Sequence, residues 1–208
     1  MPSKDFVCSA DGGLYGENGV YSTARSTCNT LYSQDRYITG QSQPASLVYY
    51  VYRMFLKFDT SFLAGATIKQ ANLKLVVVED NSAIDFDVVI KKADWSAYDP
   101  ASDANKENIY DLILSSSADD NIWRNTSGLS INTQYTSGNL NTAWINKNGY
   151  TYYGLISSRD ISSTPPNNTV GGGNENVRIA SSTHATTSYR PILTVKYDRL
   201  PNTRIIIF

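Results

Sequence analysis

Apolar and polar positions alternate most cleanly between residues 50 and 91. The run from Leu47 to Phe58 ends with Met54, Leu56 and Phe58 on one face and Arg53, Phe55 and Lys57 on the other, which predicts a strand with one buried face. Residues 71–78 repeat the pattern with Ala71, Leu73, Leu75 and Val77 turned inward. Phe86, Val88 and Ile90 then alternate with Asp85, Asp87, Val89 and Lys91. The connections, residues 59–67 and 79–85, carry Gly65 and Asn81-Ser82, which suit turns rather than crossover helices. An antiparallel arrangement follows.

From Ala93 to Asn139 the alternation is lost, interrupted by Pro100, a serine run at 115–117, Asp119-Asp120-Asn121, Gly128 and Gly138. Within this excursion Ile109, Leu112 and Ile113 have helical spacing, and residues 140–147 suit a helical turn closed by Asn148-Gly149. Strands resume at residues 150–156, 177–180 and 192–197. Many short strands joined by turn chemistry, with no repeat of 20 to 50 residues, predict an all-β fold: an antiparallel β-sandwich of jelly-roll type with a long irregular insertion and a C-terminal arm. Residues 1–197 form the single sandwich domain, and residues 198–208 the arm. The expected core between the sheets is Met54, Leu56, Phe58, Leu73, Leu75, Val77, Phe86, Val88, Ile90, Leu193 and Val195. In the arm, Pro201 stops the preceding strand, and Ile205, Ile206, Ile207 and Phe208 form a β-prone apolar run. It either adds a strand to its own sheet or pairs with a neighbouring copy and drives assembly.

Composition agrees with strands and turns. Ser, Thr and Asn supply roughly 29% of the 208 residues, and such side chains compete for backbone hydrogen bonds inside helices. Lys and Arg number 18 against 19 Asp and Glu, so the chain has no electrostatic footprint for a nucleic-acid partner. No stretch has the apolar length of a secretory signal or a membrane span, so no membrane insertion is expected. A polar, aromatic surface without an export signal fits a virion component better than a secreted protein. Cys8 and Cys28, twenty residues apart, either clamp the N-terminal region as a disulfide or stay reduced and buried, the favoured reading.

The residues also carry a family resemblance. Tyr52-Arg53-Met54-Phe55-Leu56-Lys57-Phe58-Asp59, then Gly65-Ala66-Thr67-Ile68 and Ala71-Asn72-Leu73-Lys74-Leu75, resemble the core of DNRLRE-type domains. Val88 to Trp95, Tyr153-Gly154-Leu155-Ile156, Ser181-Ser182 and Arg190-Pro191-Ile192-Leu193-Thr194-Val195-Lys196-Tyr197 follow in the family's order. The literal DNRLRE run is absent, and His184 stands near a position where the family often has Glu. The resemblance implies a jelly-roll sandwich of the kind treated in part as carbohydrate-binding modules.

Candidate chemistry is sparse. The sole histidine, His184, has no Gly-x-Ser-x-Gly elbow to serve, and the carboxylates show no spacing that would pair two across a groove, as a glycosidase requires. No enzyme activity is therefore expected. Asp99, Asp103, Asn105 and Glu107 cluster hard oxygens and are weak candidates for a structural calcium; no other cofactor is implied. Trp95 and Trp144 read as core, whereas Trp123 lies in a polar context with Tyr98, Tyr110 and Tyr135 elsewhere in the excursion. These four aromatics are the candidates for stacking on a glycan or gripping a protein partner. The expected function is that of a non-catalytic structural protein of a virus particle, a phage capsid decoration, fibre or tail component. It would contact other virion proteins, copies of itself or a surface glycan. The alternative is a secreted, extracellular carbohydrate-binding or adhesion module.

Overall fold

Alternating sequence becomes strand wherever one face can be covered, and here most of the chain does so. A computed structural model describes residues 1–44, 47–100, 102–116, 121–169 and 171–198. Its strands are β1 (Ser3–Asn18), β2 (Thr30–Tyr32), β3 (Arg36–Ser42), β4 (Tyr49–Asp59), β5 (Ile68–Ser82), β6 (Asp87–Lys91), β7 (Asn121–Asn125), β8 (Thr133–Thr136), β9 (Tyr150–Ser157), β10 (Asn174–Ala180) and β11 (Ile192–Tyr197). The helices are short: α1 (Tyr21–Ser26), α2 (Lys106–Ser115) and α3 (Ser158–Ile161). None among the described residues is long and apolar enough to cross a membrane.

Every strand pairing is antiparallel. One layer runs β1, β4, β9, β6, β7, and the other β11, β5, β10, β3. The long β1 belongs to both: Ser3 to Val7 pair with β11, and Cys8 to Asn18 pair with β4 across an irregular register at Cys8/Ala10. The layers meet again where Gly40 to Ser42 of β3 pair with Tyr50 to Tyr52 of β4. Gly40 turns that corner with φ +131°, and a Cβ there would lie 2.3 Å from the Glu175 carbonyl oxygen, so only glycine fits. The result is an all-β, antiparallel β-sandwich. Residues 199–208, and with them the expected assembly arm of Ile205, Ile206, Ile207 and Phe208, lie outside the described residues.

Every predicted core residue is buried in one cluster between the layers, joined by Phe6, Tyr37, Tyr153 and Trp144 among others. The expectation of one buried face on β4 needs correction. Arg53 and Phe55, on the opposite face, are 0% and 1% exposed. They belong to a second apolar layer in which Leu14, Val51, Val89 and Ile156 are covered by Ala24 of α1, Ile109, Tyr110 and Ile113 of α2, and Trp95. Phe55 meets Trp95 edge-on at 5.0 Å. Cys8 lies in the first cluster and Cys28 in the second, both buried and unbridged. The excursion is also less irregular than expected: it contains α2, β7 and β8.

Arg53 ties this outer layer together. Its Nε and Nη2 donate to the two carboxylate oxygens of Asp160 at 2.8 and 3.1 Å, its Nη1 to the Tyr110 carbonyl at 2.8 Å, and its Nη2 also to the Arg25 carbonyl at 3.0 Å. The guanidinium carbon sits 3.6 Å from the Tyr110 ring centre. Arg25 reaches the same carboxylate, Nε to Oδ1, at 2.9 Å. Burial pushes the Arg53 pKa down, but Asp160 and the Tyr110 and Asp111 oxygens outweigh it and hold it above the ordinary arginine value.

Two stability outcomes follow. Phe58→Ala, which empties a fully buried site, should lower unfolding free energy by about 3–5 kcal/mol. Asp160→Ala should lower it by about 3–5 kcal/mol because it leaves the Arg53 charge buried and unpaired. Urea denaturation followed by tyrosine and tryptophan fluorescence measures both.

Candidate functional site

The four aromatics singled out in the sequence do not form a platform. Trp123 is on β7, 3% exposed and part of the inter-sheet core, with exposed Ile122 and Arg124 on either side. Its polar neighbours simply occupy the outward positions of a short strand. Tyr135 meets Trp123 edge-on at 6.2 Å, is half-buried, and accepts a hydrogen bond from the Ser130 N–H on its hydroxyl at 2.8 Å. Tyr110 is fully buried, with its hydroxyl directed at the Ala24 and Val51 carbonyls. Tyr98 is half-buried against the outer layer. The calcium candidates are described only in part. Asn105 donates to the Asp99 carbonyl at 3.3 Å, Glu107 is exposed in the first turn of α2, and the Asp103 side chain lies outside the described residues. Among the described residues no three His, Cys, Asp or Glu side chains converge. His184 is half-buried, accepts from the Thr186 N–H at 3.1 Å and stacks on Tyr189, which makes it a brace for its own loop.

A different set of aromatics does come together. On β4, Tyr50 and Tyr52 share the parity of Met54, Leu56 and Phe58, so the face that builds the core continues past its end as two tyrosines. Tyr15 of β1 lies directly opposite Tyr52 in the strand register, and Tyr32 of β2 lies opposite Gly13. Gly13 matters here, since a Cβ on it would stand 2.3 Å from the Tyr32 ring. The Tyr15 ring is 6.0, 6.1 and 5.6 Å from those of Tyr32, Tyr50 and Tyr52, and Tyr50 and Tyr52 are stacked at 6.2 Å with 9° between planes. Together with Thr30, Gln34, Arg36, Ile38 and Arg178 they line an open cleft of about 350 Å³.

The polar edges of this cleft are partly committed. Tyr32 accepts from the Ile38 N–H at 3.0 Å, and Tyr50 donates to Glu17 at 3.1 Å. Arg36 and Arg178 pair with Asp35 and Glu79 at 3.5 and 3.1 Å, while the buried Nε of Arg178 has no hydrogen-bond partner. Burial pushes the Tyr52 phenol up to about 12 and Tyr32 further, and burial with the Glu17 carboxylate raises Tyr50. The Tyr32, Tyr50 and Tyr52 phenols are therefore neutral at physiological pH. The lining combines aromatic rings with guanidinium, amide and hydroxyl groups, which suits a ligand with both apolar faces and hydroxyls.

Sequence reasoning missed these residues. Their signal is Tyr49-Tyr50-Val51-Tyr52, where an i, i+2 tyrosine pair sits at the start of a strand whose core face lies further on. Tyr15 and Tyr32 have no such local mark, because only the pairing of β1 with β2 and β4 brings them in.

Next to the cleft, Tyr32 also lines a second pocket of about 370 Å³ with Asp11. Ser182 donates to Asp11 twice, from its backbone N–H at 2.6 Å and its hydroxyl at 2.7 Å. Burial outweighs these bonds and raises the Asp11 carboxyl from its ordinary 3.8 to about 6. Ionised Asp11 therefore disfavours the folded state. Its unfavourable contribution is absent below pH 3.8, grows as pH rises towards 6 and is complete above that. Asp11→Asn should gain stability relative to the parent as pH rises from 4 to 7, read from paired thermal melts. A difference that is flat across that range would show that Asp11 titrates normally.

In comparisons with known proteins, the chain matches no family model and no curated protein.

Proposed function

We propose that the protein is a non-catalytic carbohydrate-recognition module that takes a saccharide in the cleft of Tyr15, Tyr32, Tyr50 and Tyr52. The observation that carries this reading is the convergence of these four half-buried rings around an open cleft with a hydroxyl, amide and guanidinium rim. Sugar rings present C–H faces that lie on aromatic planes, and hydroxyl edges that meet donors such as Arg178 and Gln34. The resemblance to DNRLRE-type domains points the same way. Binding without turnover is supported by the walls themselves, which among the described residues carry tyrosines and two arginines but no pair of facing carboxylates. The particle setting expected from the sequence, as a phage decoration, fibre or tail component, would use the same cleft to grip a surface glycan. A secreted adhesion module would use it identically.

A glycan array probed with the purified protein should identify retained saccharides. Against the best of them, Tyr15→Ala and Tyr52→Ala should each weaken binding at least about tenfold, or about 1.4 kcal/mol, with little change in melting temperature. Retention of no saccharide, or retention unaffected by both substitutions, would sink the cleft as the site. Release of new reducing ends from a retained saccharide would overturn the non-catalytic reading.

A further inference from the structure

The pocket beside the cleft holds a carboxylate that, among the described residues, no cation pairs with. Asp11 stands at its edge, and none of the ion pairs among the described residues involves it. Its two oxygens each take one bond from Ser182, and a carboxylate has lone pairs for more. The remaining walls are apolar or aromatic, Leu31, Tyr32, Phe55 and Pro100, with the Ser33 hydroxyl group also present. Gly12 makes room for this floor: a Cβ there would sit 2.2 Å from the Phe55 ring. A carboxylate at a pocket whose lining includes Tyr32 is complementary to an organic cation, which it attracts through charge. The neighbouring tyrosine cleft, by contrast, has its two arginines paired with Asp35 and Glu79, so it carries little selectivity for charge.

We infer that this pocket binds the ammonium group of an amino sugar whose ring, or whose neighbouring ring, occupies the tyrosine cleft on the other side of Tyr32. The inference rests on the carbohydrate reading of that cleft and narrows it to glycans bearing free amines. Tyr32 is the physical link, since it lines both spaces. An N-acetyl group at the same position lacks the charge and offers Asp11 one neutral N–H in place of an ammonium.

The test compares a trimer of glucosamine with its fully N-acetylated counterpart at pH 7, by calorimetry and by amide shifts of Gly12, Leu31 and Ser33. The free amine should bind at least tenfold more tightly, and Asp11→Asn should erase that preference while leaving the weaker, acetylated trimer unaffected. Should Asp11→Asn fail to fold, pH serves instead. Below about pH 6 the Asp11 carboxyl takes up its proton while the ammonium stays charged, so the preference should fade between pH 7 and pH 5. Equal binding of both trimers at pH 7, or a preference unchanged by both Asp11→Asn and low pH, overturns the inference. Failure of both trimers to shift these amides at millimolar concentration also overturns it. The cleft reading survives any of these results if the array retains another saccharide through Tyr15 and Tyr52, and falls if the array retains none or if retention ignores both substitutions.

Discussion

The Arg53–Asp160 pair is the constraint around which the outer half of the molecule is organised. A strand buried on both faces is ordinarily apolar on both, yet β4 places a guanidinium in the middle of its second face. That charge can be accommodated only if its donors are satisfied, and the partners come from three separate elements: the Arg25 carbonyl of α1, the Tyr110 carbonyl of α2 and the Asp160 carboxylate of α3. Each of those helices is too short to be stable alone. Arg53 thus acts as the common anchor that fixes where all three sit on the sheet. A well-packed apolar residue could be as stable there, but it would not specify the same carbonyls, so the pair contributes placement more than net energy.

This arrangement explains why a chain with ordinary apolar content can cover both faces of the β1–β4–β9–β6 layer. Gly16 is part of the same solution, since a Cβ on it would lie 1.9 Å from the Ala24 carbonyl oxygen, so α1 can lie directly on β1. With the outer face occupied by helices and the inner face by β5, β10 and β11, the half-buried tyrosines gather where neither cover reaches, along the first residues of β4 and the adjoining part of β1.

Much of the inner core was legible from period-2 alternation, because every strand there buries one parity and exposes turn chemistry at its ends. Met54, Leu56 and Phe58 are the clearest case. The outer layer was not legible from the same strand. Arg53 and Lys57 bracket Phe55 and read as a solvated face, and nothing local announces that Asp160, more than a hundred positions away, answers Arg53. Trp123 illustrates the reverse error. In a five-residue strand one inward aromatic is the whole hydrophobic signal, so flanking polarity looks like a loop. The candidate cleft depends on register between β1, β2 and β4, which the sequence does not encode at any single site.

Tyrosine is the residue that such a boundary selects. A phenylalanine at position 50 or 52 would continue the core face into solvent, and a serine would give up the apolar contact with Tyr15. The phenol ring does both tasks, packing its body against its neighbours and keeping its hydroxyl at the wet edge. Because the strands beneath are held from the far side by the Arg53 network, the rings are held in place by the fold itself. For the saccharide site proposed above, such preorganisation would lessen the entropy lost on ordering the rings. The second face of β4 therefore serves the first: the network on one side of the strand keeps the tyrosines on the other side in place.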